Sequence, residues 1–322
     1  MRESTYTFAM PSYALFAIAS LIWGSTFWAI TLQLGDVPPA VSVVYRFALA
    51  SLTLFGWCLV RGQKLWLPWR VQRWTLLQGF FTFCVSYVCT YNAEQYVVSA
   101  LVAVLFALMV FWTPICARIA FGTAIPGRTW GAGLAAIAGV TLLFWHSISG
   151  ALHDIGQGGK GHFLLGALLG IGASIASSAG SIVVAKVREQ SQNLILTTGW
   201  SMFWGTCMVA LFCIATGQAF IMPTTPSYVF GLLHLALLGS VVAFICYFTL
   251  INRIGSSKAV YLNVITPVIS VLMSIKLEHY RPGPTEWLGM AVCLGSVAWA
   301  LRAPAARPAA AVTLNDAIET TP

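Results

Sequence analysis

The sequence predicts an all-α integral membrane protein of ten transmembrane helices, arranged as two inverted five-helix halves with both termini in the cytoplasm. Three observations carry this reading. Of 322 residues, 58% are hydrophobic and 8% charged, against about 25% charged in a soluble domain, so the chain cannot clothe a surface that faces water. Ten apolar stretches approach the roughly 20 residues that a helix needs to cross hydrocarbon. The 17 lysines and arginines are dense in every second connector and sparse in the others, as orientation by positive charge requires.

Taken in order, the first stretch, 12–32, follows only Arg2 and Glu3, a weak basic leader. It is interrupted at Gly24-Ser25 and followed, after Asp36-Val37-Pro38-Pro39, by a second stretch at 40–60, so it reads as a retained span rather than a cleaved signal. The third, 74–92, and the fourth, 96–117, are separated only by the short polar segment YNAEQY, and the fifth occupies 129–146. The connector ALHDIGQGGKGH at 151–162, with four glycines, divides the chain, and the second half supplies 162–185, 194–216, 228–249, 257–276 and 285–301. The expected units are a first repeat at 10–147, a periplasmic connector at 148–161, a second repeat at 162–302 and a tail at 303–322. Rich in Ala and Pro with little to bury, the tail is expected to be a disordered cytoplasmic extension.

Counted over these connectors, one side of the membrane receives Arg2; Arg61, Lys64, Arg70 and Arg73; Arg118 and Arg128; Lys186 and Arg188; Arg253 and Lys258; and Arg302 and Arg307. The other receives Lys160, Lys276 and Arg281, and Arg46 is left inside a span. This 13-to-3 division places both termini in the cytoplasm. The halves also echo one another: VSALVAVLFALM at 98–109 answers SSKAVYLNVITP at 256–267, and WGAGLAAIAGVTLL at 130–143 answers WLGMAVCLGSVAWA at 287–300. Five spans per half put the second half into the bilayer upside down, the arrangement from which alternating access follows.

Several chemistries are excluded. The formal charge of +8 is split into short groups between apolar runs, which fits a membrane and not a nucleic acid. The eight cysteines, Cys58, Cys84, Cys89, Cys116, Cys207, Cys213, Cys246 and Cys293, form no CxxC pair and read as small buried hydrophobes. His146, His153, His162, His234 and His279 show no metal-ligand spacing, and there is no GxxxxGK[ST] loop for a nucleotide. Neither a metal nor a cofactor is implied, and no clustered nucleophile and base suggests an enzyme. Trp66, Trp69, Trp74, Trp130 and Trp287 fall near span ends, where an interfacial belt explains them.

LIWGSTFWAI at 21–30, PPAVSVVYRFALA at 38–50, TPVISVLMSIKLEHY at 266–280 and WLGMAVCLGSVAW at 287–299 together resemble the drug/metabolite transporter superfamily, in its EamA-domain branch. The resemblance runs over roughly residues 10 to 302. It implies a ten-helix permease of the cell inner membrane, built of two EamA-like repeats and exporting amino acids, other metabolites or toxic compounds. The chain departs from the pattern at Met109 and Val110, where relatives often carry proline, and at Gly122-Thr123, where they carry Gly-Glu. In the second half Pro267 is present, but the expected glutamate falls near Tyr280, two residues beyond Glu278. The role of that glutamate is therefore not assigned to Glu278.

Against this background the candidate substrate-binding residues are Trp23, Phe27, Arg46, Tyr87, Tyr91, Tyr247, Asn263 and Pro267, with Glu94 as the proton-coupling candidate. Two readings stand for the WGSTF segment: a notch of small residues that lets another helix approach, or aromatic faces of Trp23 and Phe27, four residues apart, turned to a cavity. Arg46 lies seven residues past Pro39, about 10 Å into its span. It either faces the interior, where it would meet a carboxylate or a structural partner, or snorkels outward. Glu94 is either a loop carboxylate or a proton carrier at the cavity's end. Pro267 breaks the ninth helix and frees carbonyls, and Asn263 one turn earlier is costly in lipid, so both point to a cavity or to helix-to-helix contact. The IASSAGS stretch at 175–181 suits a lining or tight packing equally.

The function expected is a secondary transporter, a proton-coupled exporter of small organic metabolites such as hydrophobic or aromatic amino acids. Export of amphipathic drugs or toxic compounds is the alternative, and a passive channel or non-transporting scaffold the alternative of another class. The partners implied are a small-molecule substrate, membrane lipid and protons.

Overall fold

The computed structural model describes residues 10–35, 37–122, 124–125, 127–143, 145, 162–191, 193–254 and 262–301. Among them the chain forms ten helical runs and no strand. These are α1 (Ser12–Thr31), α2 (Pro39–Val60), α3 (69–93), α4 (Ser99–Phe121), α5 (Gly127–Leu143), α6 (His162–Gln190), α7 (Leu194–Ala215), α8 (226–254), α9 (Leu262–Leu277) and α10 (Pro284–Leu301). Six of them, α1, α2, α4, α6, α7 and the Pro226–Tyr247 part of α8, are long and apolar enough to cross a membrane. The fold is thus an all-α, multi-pass membrane fold. The expected tail and most of the glycine-rich connector lie outside the described residues, as does the beginning of the ninth stretch.

Helix starts follow proline chemistry. Pro39 and Pro226 occupy first-turn positions, where the absent N–H is no loss. α3 begins five residues before its apolar stretch because Pro68, extended at ψ 152°, launches a helix straight through the charged segment WRVQRW. α6 runs on to Gln190 and is closed by the Lys186–Glu189 ion pair. The α4 run is interrupted at Leu108, beside the Met109-Val110 departure, and Ser178 of the IASSAGS stretch donates to the Met109 carbonyl at 3.1 Å.

Two runs share an irregularity that periodicity does not disclose: α3 is π-helical over Gly79–Ser86 and α8 over His234–Val242. Each is the third helix of its half, and such segments widen a helix and re-aim its carbonyls.

Packing is by close backbone approach, as expected where lipid removes the apolar drive between helices. The principal contacts are α3 on α6 and α7, α5 on α10, α2 on α7, and α4 on α6; α1 packs on α8 and α9, and α4 also on α9. At the α5–α10 seam a Cβ on Gly289 would stand 2.4 Å from the Leu143 nitrogen, and one on Gly139 2.7 Å from that of Cys293.

The cysteines are free thiols, and Cys58, Cys213, Cys246 and Cys293 are buried as expected. Cys207 differs: it is exposed on α7, a position that a lipid-facing surface accepts because a thiol behaves as a small hydrophobe. Trp66, Trp69, Trp130 and Trp287 are all exposed near helix ends, as belt residues should be.

Candidate functional site

The apolar length of α2 carries one charge into the interior. Arg46 is 1% exposed, so it faces protein and does not snorkel. Its Nε donates to Ser240 Oγ of α8 at 3.1 Å, and its guanidinium lies 4.6 Å from the Tyr87 ring centroid and 5.2 Å from that of Phe47, a cation–π arrangement that shelters a buried cation. Nη1 has no hydrogen-bond partner. The π geometry of α8 prepares the Ser240 contact: Ser240 Oγ itself donates five residues back, to the Leu235 carbonyl at 2.9 Å. It also turns the Gly239 carbonyl to accept from Trp23 Nε1 at 3.1 Å. A Cβ on Gly239 would meet Thr26 Cγ2 at 2.7 Å and lie 3.4 Å from Arg46 Nη2, so α1, α2 and α8 meet here at the limit of contact.

On α3, Tyr87, Tyr91 and Glu94 share one face by helical spacing. Tyr91 is wholly buried, and its hydroxyl donates to Oε1 of Gln33, just past α1, at 2.9 Å. Gln33 Nε2 has no partner. Glu94 follows the last residue of α3, is 7% exposed, and neither carboxylate oxygen is bonded. Burial first, then the nearby charge of Glu278, pushes its carboxyl well above the usual carboxylate range, with the Arg46 charge opposing. Glu278, just past α9, accepts from Ser99, and Ser274 Oγ lies 2.8 Å from Ser99 Oγ and 3.1 Å from the same Glu278 oxygen, so its one hydrogen serves one of the two. It thereby ties the start of α4 to the end of α9.

A strip of aromatic rings starts at the Arg46 contact. Phe47 and Tyr87 centroids are 4.6 Å apart, Phe83 and Phe244 5.9 Å, Trp23 and Phe244 5.3 Å, and Trp23 and Tyr247 5.1 Å. Arg46 rests on Tyr87 at one end of this run of rings, and Trp23, with Tyr247 against it, comes back to the Arg46 contact through the Gly239 carbonyl. Phe27 is not brought in: it is turned to Phe106 of α4 at 6.0 Å. Pro267 sits in the middle of α9, apart from the polar end, and the Asn263 side chain lies outside the described residues. In the WGSTF segment, Gly24 is a packing notch, since a Cβ there would fall 2.4 Å from Ile269 Cγ2 of α9. Its neighbour Ser25 shares a 2.9 Å hydrogen bond with His234 Nε2.

Gln33, Ser240, Gly239 and His234 belong to this site and escaped the sequence reading. Gln33 stands at a span end and Ser240 inside an apolar run, where neither residue type is unusual. The signal that could have found them is the small-polar pair Gly239-Ser240 inside an otherwise apolar run. A separate groove of about 400 Å³ between α4, α5 and α6 is lined by apolar side chains such as Leu108, Trp112, Trp130 and Leu134, with Thr141. It offers nothing to read a charged solute. Among the described residues no cluster of His, Cys, Asp and Glu could hold a metal ion.

The chain matches the EamA-like transporter family over residues 10–145 and again over 164–302. It is similar to the uncharacterized inner membrane transporter YedA of Escherichia coli (strain K12), 26% identical over 285 residues and 88% of each chain. Protein PagO of Salmonella typhimurium is 26% identical over 277 residues, 84% of each chain. An uncharacterized transporter of Archaeoglobus fulgidus is 25% identical over 301 residues, 89% of this chain and 96% of that one. One solved crystal structure, 17% identical, superposes with a TM-score of 0.62 over 90% of this chain and 96% of its own, which shows a shared fold. Matched in both halves, the chain belongs to the EamA-like transporter family.

Proposed function

We propose that the protein is a proton-coupled exporter of small organic metabolites, in particular hydrophobic or aromatic amino acids, in the cell inner membrane. It crosses the bilayer ten times, in repeats at 10–147 and 162–302 of opposite orientation, with both termini in the cytoplasm. The repeat reading is supported by packing that survives exchange of the halves: α1 on α9 answers α4 on α6, α1 on α8 answers α3 on α6, and α2 on α8 answers α3 on α7. The π segments of α3 and α8 correspond in the same way.

One observation carries the functional reading: Arg46 on α2 and Glu94, just past α3, are buried ionisable residues, each with unpartnered polar atoms. In a membrane interior such residues mark a solute or ion pathway. Arg46 receives the substrate carboxylate, Glu94 takes up and releases the proton, and the aromatic strip accepts an apolar side group.

The test uses inside-out vesicles holding the protein, with a panel of labelled amino acids and amphiphiles and an imposed proton gradient. Protein-dependent accumulation of apolar amino acids that collapses with an uncoupler is the expected result. Accumulation of amphiphiles alone would favour drug export, and downhill flux indifferent to the uncoupler would leave transport standing and remove the proton coupling.

A further inference from the structure

The groove between α4, α5 and α6 takes no part in the site around Arg46. Its walls are apolar: Leu108, Phe111 and Ile115 on α4, and Trp130, Leu134 and Ile137 on α5. Thr141 also lines it, but its hydroxyl donates to the Ile137 carbonyl of its own helix at 2.9 Å. Gly133 lies on the same wall, and a Cβ there would meet only Phe111 Cδ1, at 3.9 Å. α5 is thus open on this side, whereas at Gly139 its seam with α10 has no room for a methyl group.

The groove has the length of one leaflet. Trp130 to Thr141 is eleven residues, about 16 Å of rise, and Leu108 to Arg118 is ten, about 15 Å; half of a bilayer's hydrocarbon is also about 15 Å. On α4 the lining positions 108, 111 and 115 recur at steps of three and four, and the next step of that stripe is Arg118, exposed in the last turn of the helix. The stretch 118–130 carries Arg118 and Arg128 and no acidic residue. On the neighbouring α6, Glu189 is paired with Lys186, which lies 5.1 Å from the Phe121 ring centroid of α4. An apolar slot one leaflet deep therefore opens at a positively charged mouth. A helix 16 Å long and 10 Å across displaces on the order of 1,200 Å³, well over the groove's volume of about 400 Å³. A second protein helix does not seat in it, and a single hydrocarbon chain does.

We infer that the groove is a binding site for an anionic phospholipid, with one acyl chain between α4 and α5 and the headgroup phosphate on Arg118. Arg128 adds to the attraction, as basic residues at a membrane surface do. The lipid belongs to the leaflet on the Arg118 side, the cytoplasmic one in the topology proposed above. The inference requires the membrane fold alone and stands whether or not the transport reading does.

The experiment adds phosphatidylglycerol or phosphatidylcholine with the same acyl chains to the full chain purified in detergent, and reads lipid retained by native mass spectrometry together with the shift in Tm. Phosphatidylglycerol should be retained about fivefold more than phosphatidylcholine, the factor that one arginine beside an anionic headgroup gives, and should raise the Tm further. Arg118→Gln should remove that preference. Arg70→Gln, at an exposed arginine on α3 outside the groove's walls, should keep it. Gly133→Leu fills the groove and should reduce retention of both lipids. In the parent chain, phosphatidylglycerol with a photoreactive acyl end should label α4 and α5 around Leu108 and Thr141 and be displaced by unlabelled phosphatidylglycerol, a test that does not depend on how Gly133→Leu folds. Equal retention of the two lipids, equal losses from Arg118→Gln and Arg70→Gln, or labelling that unlabelled lipid does not displace would overturn the inference.

Discussion

At the residue scale, the decisive feature is a fully buried charge that is held by its neighbours yet keeps one nitrogen unpaired. Arg46 is held by Ser240, Tyr87 and Phe47, which fix its plane while leaving Nη1 unpaired. Ser240→Ala leaves Nε unpaired as well, at a cost of about 1–3 kcal/mol, and should appear as a lower Tm in detergent together with reduced uptake. Arg46→Lys keeps the charge but loses the planar stack and the fork of donors, so it should bind substrate more weakly than the parent chain while folding. Glu94 supplies the pH dependence. Its carboxyl is pushed up in the folded chain by burial and by Glu278, so folding disfavours its ionised form. Its contribution to stability is full below the ordinary carboxylate range and is lost as pH rises through the raised value. The Tm of the parent chain should fall across that window relative to Glu94→Gln, and parallel curves would contradict the assignment. Arg46 was legible in the sequence because one guanidinium among apolar residues stands out. Gln33 and Ser240 were not, because a glutamine at a span end and a serine in a span are ordinary until one sees what faces them.

At the element scale, helices meet where glycine lets backbones touch, and the sequence shows the small residues without saying which are used. Gly289 and Gly56 look alike in their apolar runs. A Cβ at Gly289 would strike the Leu143 nitrogen at 2.4 Å, whereas one at Gly56 would meet nothing within 4 Å. Gly289→Ala should therefore force α5 and α10 apart and lower the Tm by several degrees, while Gly56→Ala should leave it unchanged or raised, since alanine is the better helix former by about 1 kcal/mol. Equal effects would contradict the packing. Helix positions were legible from apolar length because crossing hydrocarbon sets a length. The start of α3 was missed since Pro68 launched the helix before the apolar run began. The two π segments were missed because they change hydrogen-bond register without changing which residues are apolar.

At the scale of the whole molecule, the packing that exchanges one half for the other brings α3 against α7 and α2 against α8, so the candidate site is assembled from both halves. The proposed topology is testable directly. A phosphatase active only outside the cytoplasm should be active when fused after Gly217 and silent after Gly62; the opposite pattern would invert the termini. By itself the sequence determined the all-α membrane class, the approximate helix positions and the alternation of charge, because hydrophobicity, length and positive charge are properties of a local stretch that the bilayer reads directly. Only the tertiary structure decided that Arg46 faces inward against Ser240, that Glu94 is buried, that Gln33 accepts from Tyr91, and that Phe27 turns away to Phe106. Those outcomes depend on which helices become neighbours, and on a π turn that re-aims Ser240 and the Gly239 carbonyl. Residues 194 positions apart, such as Arg46 and Ser240, carry no local mark of their meeting.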